Sequence, residues 1–290
     1  MTEKVEFRKI REFGEIIGDT FLFIRQNFKP LMKAFFIICG LFIVASIISM
    51  VIQKSKVTQF NYRNGWYSAY TTTLLTWEYL LFAVISLINY VSMYITVLSF
   101  IGVYIQKGNV VPTMDEVWGY FKYFFLRVFG STLIMSLFLM VCFIACIIPG
   151  IYVFPACTLF YPIMILENGS FGHSFERSFK LLKNEWWITA ATLFIIYFIY
   201  YVTSMIVQMP AFLLQMLGTF TNGERAISQT YQIISACLTF AGQVFTIIPI
   251  VASAFIYFNL VERKENTGLF GRMNNLGNSA ATDNAIPEEY

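Results

Sequence analysis

The chain has 290 residues, of which 57% are hydrophobic and only 13% charged; its mean hydropathy is +0.63 and its net charge +3. That balance excludes an ordinary water-soluble domain, and so small a basic excess makes nucleic acid an unexpected partner. The apolar residues fall in blocks of about 20, each long enough to cross a hydrocarbon layer of about 30 Å, so an integral membrane protein is expected.

In chain order, the charged start MTEKVEFRKIREFGE has no apolar stretch followed by a small-residue cleavage site, and the first span is expected to serve as the insertion signal. An amphipathic helix is predicted near 10–29. Phe13, Ile17, Phe21, Ile24 and Phe28 share one face, and Arg25 and Lys29 stand beside it. Span one follows at 34–52. The outer loop 53–73 carries Phe60, Tyr62, Trp66, Tyr67 and Tyr70, the composition of an interfacial anchor or a docking surface. Span two, at 80–105, is preceded by Glu78 between Trp77 and Tyr79 and holds Asn89.

A second amphipathic stretch is predicted at 113–126. Thr113 and Glu116 have capping-box spacing before the stripe Val117, Phe121, Phe124 and Val128, with Asp115, Lys122 and Arg127 on the polar side. Spans three and four, at 127–148 and 151–166, are separated by Pro149-Gly150. Span four is short and carries Pro155 and Pro162, which points to a kink or a partial re-entry.

The third amphipathic stretch, HSFERSFKLLKNEWW within 171–185 and its flanks, sets Phe175, Phe179, Leu182 and Trp186 against Arg177, Lys180 and Lys183. Trp186 and Trp187 are expected to mark the entry of span five at 186–214. Span six, at 231–260, includes Gln243, and Pro210 and Pro249 are expected to kink spans five and six. The segment 266–290 has little to bury and reads as a disordered tail behind a membrane domain of residues 1–265.

Of the 20 Lys and Arg, only Lys54, Lys56, Arg63 and Arg225 fall outside if both termini are cytoplasmic, which predicts that orientation. The stretch 14–31 aligns without gaps on 172–189, pairing Gly14 with Gly172, Phe21 with Phe179 and Arg25 with Lys183. With the weaker 113–126 copy, the expected fold is an all-α integral membrane protein. Its six transmembrane helices form three repeats of an amphipathic interfacial helix plus two spans.

The run IIPGIYVFPACTLFYPIMILENGSFGHSFERSFKLLKNEWW resembles uncharacterised polytopic families related to the membrane domain of glycerophosphoryl diester phosphodiesterases. It carries a Pro-Gly-hydrophobic-Tyr turn, an apolar run ending in a Glu-Asn/Gly turn, then Ser-Phe and an aromatic pair. The N-terminal run is similar to hypothetical inner-membrane proteins of Bacteroidota. The resemblance implies a six-helix domain in a bacterial inner membrane. It implies no phosphodiesterase activity, because a barrel-length polar segment with metal-binding carboxylates is missing.

No catalytic, cofactor-binding or metal-binding residue is expected. The sole histidine, His173, has no cysteine or carboxylate cluster close in sequence, and no GxxxxGK[ST] phosphate loop occurs. The candidate lipid- or partner-contacting residues are Arg25, Lys29, Lys122, Arg127, Arg177, Lys180, Lys183 and Trp186. The candidate intramembrane polar residues are Glu78, Asn89 and Gln243. The expected function is that of a non-enzymatic scaffold or accessory subunit of an inner-membrane complex, contacting membrane lipids and other subunits. A transporter or lipid-handling protein is the alternative.

Overall fold

The computed structural model describes residues 4–64, 76–145, 147–220 and 227–265. The tail 266–290 and most of the outer loop 53–73 lie outside the described residues or outside those with described side chains. The elements are α-helices: α1 (Phe13–Gln26), α2 (Phe28–Asn64), α3 (Trp77–Gln106), α4 (Met114–Ala145), α5 (Ile147–Leu166), α6 (Phe171–Leu182), α7 (Trp186–Phe220), α8 (Ile227–Gln243) and α9 (Ile247–Glu265). Six stretches, 28–53, 77–106, 114–144, 148–166, 186–214 and 233–265, are long and apolar enough to cross a membrane. The chain is a multi-pass membrane protein, helical because backbone polar groups in hydrocarbon need partners within their own segment.

Two junctions differ from the sequence expectation. The 113–126 stretch is not a separate helix but the first turns of α4, which runs unbroken from Met114. No proline or left-handed residue interrupts it, whereas Asn27 ends α1 and the turn at 183–185 ends α6. The expected single span 231–260 is two helices, α8 and α9, joined by a 3-10 turn at Val244–Thr246. Pro249 has no N–H to offer the Phe245 carbonyl four residues earlier, so the α-helical ladder restarts there. Pro155 and Pro162 are accommodated within α5, and Pro210 within α7.

Three helices make the centre. Ile247 to Glu262 of α9 are buried at every position, as are Val153 and Ala156–Ile165 of α5. Val91–Ile101 of α3 are likewise enclosed. In each successive pair of spans the second is the more buried, 44% against 33%, 72% against 22% and 78% against 22% of the window, so α2, α4 and α7 form the outer, lipid-facing layer. Most of their exposed positions, such as Leu41, Leu137, Val141, Phe194 and Met205, are apolar. Small residues set the closest approaches. Gly102 admits the Leu166 side chain, and a Cβ at Gly150 would meet the Phe143 ring at 2.6 Å.

The C-terminal ends of α3, α5 and α9 gather on one side, here termed the charged end. α1 and residues 4–12 close it. Phe7 stacks on Phe255 at 4.4 Å and meets Phe23 edge-on at 5.1 Å, and Tyr104 packs against both Phe7 and Phe23. α6 folds back from the 167–170 turn along α5: Phe171 meets Phe160 at 5.4 Å, and the Trp186 indole N–H donates to the Tyr152 carbonyl at 3.0 Å.

The amphipathic stretches bury one register and expose another. Ile16, Thr20 and Phe23 are buried in α1, Val117, Phe121 and Phe124 in α4, and Ser174, Ser178 and Leu181 in α6. The aromatic stripe predicted for α1 lies largely outside, with Phe13, Phe21 and Phe28 exposed. In lipid, aromatics gain nothing by facing inward, while small residues let helices approach.

Candidate functional site at the charged end

Two polar networks build this end. The first surrounds Glu167, placed by the turn after α5. Asn168, with φ of 54°, and Gly169 make that turn, and a Cβ on Gly169 would sit 2.7 Å from Ser174 Oγ. Ser170 then caps α6 by accepting the His173 backbone N–H. Glu167 Oε1 accepts from Arg177 Nε at 2.6 Å and from the Tyr257 hydroxyl at 2.7 Å, and Oε2 faces His173 Nε2 at 3.2 Å. Arg177 also pairs with Glu265 at 3.0 Å. Partial burial of Arg177 opposes its charge, but the hydrogen bonds it donates to Glu265 and Glu167 outweigh that and raise its pKa further. Next to it, Arg127 Nη1 donates to Asn168 Oδ1 at 2.6 Å.

The second network centres on Arg11, 1% exposed. Its Nε pairs with Asp19 at 2.7 Å, its remaining N–H groups reach the carbonyls of Glu6, Phe7 and Lys9, and its guanidinium lies 4.8 Å from the Phe255 ring centroid. The Arg11 backbone N–H donates to Asn259 Oδ1 at 2.8 Å, and Arg263 donates to the Arg11 carbonyl at 3.1 Å. Arg263 also faces Glu185 at 3.6 Å, and Lys264 donates to the carbonyls of Lys180 and Lys183, tying α9 to the C-terminus of α6. A buried guanidinium is tolerable only when its donors are matched, and this one meets a carboxylate and three carbonyls.

The predicted residues divide accordingly. Arg127 and Arg177 converge on the 167–168 turn, and the carbonyls of Lys180 and Lys183 are gripped by Lys264. Trp186, at the start of the 186–214 span, is stacked on Tyr152 at 5.5 Å. Arg25 and Lys29 are exposed on the outside, as is Lys122, whose ammonium lies 5.7 Å from the Trp118 ring centroid. Away from this end, Asn89 Nδ2 donates to Gln243 Oε1 at 2.8 Å, so these two meet each other, while Glu78 sits half-buried in the first turn of α3.

Sequence reasoning missed Glu167, Tyr257, Glu265, Arg11, Asp19 and Asn259. His173, read from the sequence as lacking a cysteine or carboxylate cluster, faces the single carboxylate Glu167, which the turn at 167–170 brings back onto it. The available signal was a carboxylate closing one span, a polar Tyr257 and Asn259 in another, and a basic helix beginning a few residues on.

A cleft of about 680 Å³ opens beside the Glu167 network, between the ends of α3 and α5 and the start of α4. Lys107 pairs with Glu116 at 2.9 Å on one wall, and Tyr120 donates to Gln106 at 2.7 Å on another. Asp115, Tyr123 and Asn168 add to its polar lining. One lysine, two carboxylates and several neutral groups suit a polar loop or a zwitterionic headgroup better than a concentrated anion. Among the described residues, no three His, Cys, Asp or Glu side chains are grouped to hold a metal ion. Comparison with family models, curated proteins and solved structures found no match.

Proposed function

We propose that this chain is a non-enzymatic protein of a bacterial inner membrane, serving as a scaffold or accessory subunit of a membrane complex, with both termini cytoplasmic. The observation that carries this reading is the cross-linked charged end, where Glu167 and Arg11 join the 4–12 segment, α1, α6 and α9 into one surface. A surface held in place before its partner arrives loses little conformational freedom on docking. The cleft beside Asn168 offers that partner a polar seat.

The excess of Lys and Arg at this end supports a cytoplasmic orientation. Exposed Arg25, Lys29 and Lys122 suit anionic headgroups, so membrane lipids are a second class of partner. The organisation into three units is part of the same proposal, supported by the shared buried register of α1, the start of α4 and α6, as is a relation of the 147–187 run to phosphodiesterase membrane domains. Transport is the weaker reading, since a path between α3, α5 and α9 would have to displace Phe7 and Phe23.

The test is extraction in a mild detergent or a lipid-retaining polymer, followed by identification of what co-purifies. A stoichiometric protein partner is expected, and Arg127→Glu should weaken its retention. Recovery of the chain alone under several such conditions would overturn the proposal.

A further inference from the structure

A cavity of about 200 Å³ lies between α3, α4, α5 and α7, well away from the charged end. Tyr90, Tyr94, Tyr161 and Tyr197 line it together with Thr132 and Thr158, and none of its lining residues is charged. The Tyr94 ring centroid lies 4.7 Å from that of Tyr90 and 4.6 Å from that of Tyr161, making a broad aromatic wall. Both threonine hydroxyls donate to carbonyls of their own helices, Val128 at 2.7 Å and Phe154 at 3.1 Å, so toward the cavity they present lone pairs. The phenols are its O–H donors, and without a ligand they face one another and the threonines, Tyr90 beside Tyr94 and Tyr161, Tyr94 beside Tyr197, Tyr161 beside Thr132 and Tyr197 beside Thr158, contacts that a carbonyl-bearing ligand would replace. Tyr90 and Phe154 are both 38% exposed on the outside of the bundle, so the cavity meets the same apolar surface as Leu137 and Val141.

These features narrow the occupant. An ionised headgroup would be desolvated without a counter-charge, at a cost this wall cannot offset. The volume holds about seven water-sized groups, too few for a sugar with its linkage but enough for one substituted ring. Aromatic walls favour a flat ring, and phenol donors favour carbonyl acceptors. Access from the hydrocarbon requires a lipid-soluble tail.

We infer that this cavity binds the uncharged, carbonyl-bearing ring of a prenylated quinone, with tyrosine hydroxyls donating to its carbonyl oxygens and its tail leaving past Tyr90 and Phe154. The step is binding alone, with no electron transfer.

The test titrates the full chain in lipid nanodiscs with a decyl-tailed benzoquinone and reads the thermal unfolding midpoint, with decanol as the tail-only control. A saturable upward shift is expected with the quinone and not with decanol. Tyr94→Phe with Tyr161→Phe should weaken the apparent affinity roughly tenfold. Ser136→Trp, at an exposed position on the rim, should keep the unliganded midpoint and abolish the shift. No saturable shift in the native chain, an equal shift in Ser136→Trp, or an equal shift with decanol would each overturn the inference.

Discussion

At the scale of single residues, Arg11 has the most to lose. Its removal strips partners from Asp19 and from the carbonyls of Glu6, Phe7 and Lys9, in a place water does not reach freely. Arg11→Met is expected to destabilise the chain by about 3 kcal/mol in detergent-solubilised unfolding. Arg11→Lys should recover less than half of that, because a single ammonium cannot span the same fork of acceptors. Glu167 is partly exposed and its bonds are screened, so Glu167→Gln should cost only about 1–2 kcal/mol. A double-mutant cycle with Arg177→Met would measure the coupling. Glu15 supplies a pH dependence: the Glu12 backbone N–H, and then nearby Lys9, hold its carboxyl below the ordinary carboxylate range. Its stabilising contribution is therefore complete above the unfolded-state pKa and is lost as pH falls through the lowered folded value. Glu15→Gln should accordingly flatten the acid limb of an unfolding-versus-pH curve.

At the scale of elements, the spans were legible because a run of apolar residues long enough to cross a bilayer has few other uses. Asn89 and Gln243 were legible too, as amides out of place in apolar runs, though nothing local said that they bond across 154 positions. Asn89→Leu should cost about 1 kcal/mol, the usual scale for such a bond between membrane helices, read from the same unfolding assay. Two features resisted. Arg11 read as one more inner-surface charge, since its burial depends on α9, far along the chain. Glu167 read as turn punctuation, because its partners arrive only once α6 folds back. The turn itself is testable: Gly169→Val would drive a side chain into Ser174 and should cost about 2 kcal/mol, with increased proteolysis between α5 and α6.

At the scale of the whole molecule, burial alternates along the chain. Second members of span pairs form the centre and first members face lipid, which gives a packed middle wrapped in a replaceable outer layer. Substitutions among exposed apolar positions of α4 and α7, such as Val141→Leu, should therefore leave stability within about 0.5 kcal/mol. The N-terminal segment belongs to the middle despite its charged sequence. A Phe7→Ala variant should lose about 3–5 kcal/mol, as large as any interior change in α9, because it empties a site shared by Phe23, Tyr104 and Phe255.

The bond between the Arg11 backbone and Asn259 joins positions 248 apart. A ribosome adding about 5–20 residues per second leaves Arg11 without its receptor for roughly 10–50 s, while α1 to α8 are being delivered to the bilayer. Arg11 is thus made long before it can dock, and closure of the charged end reports that α9 has arrived.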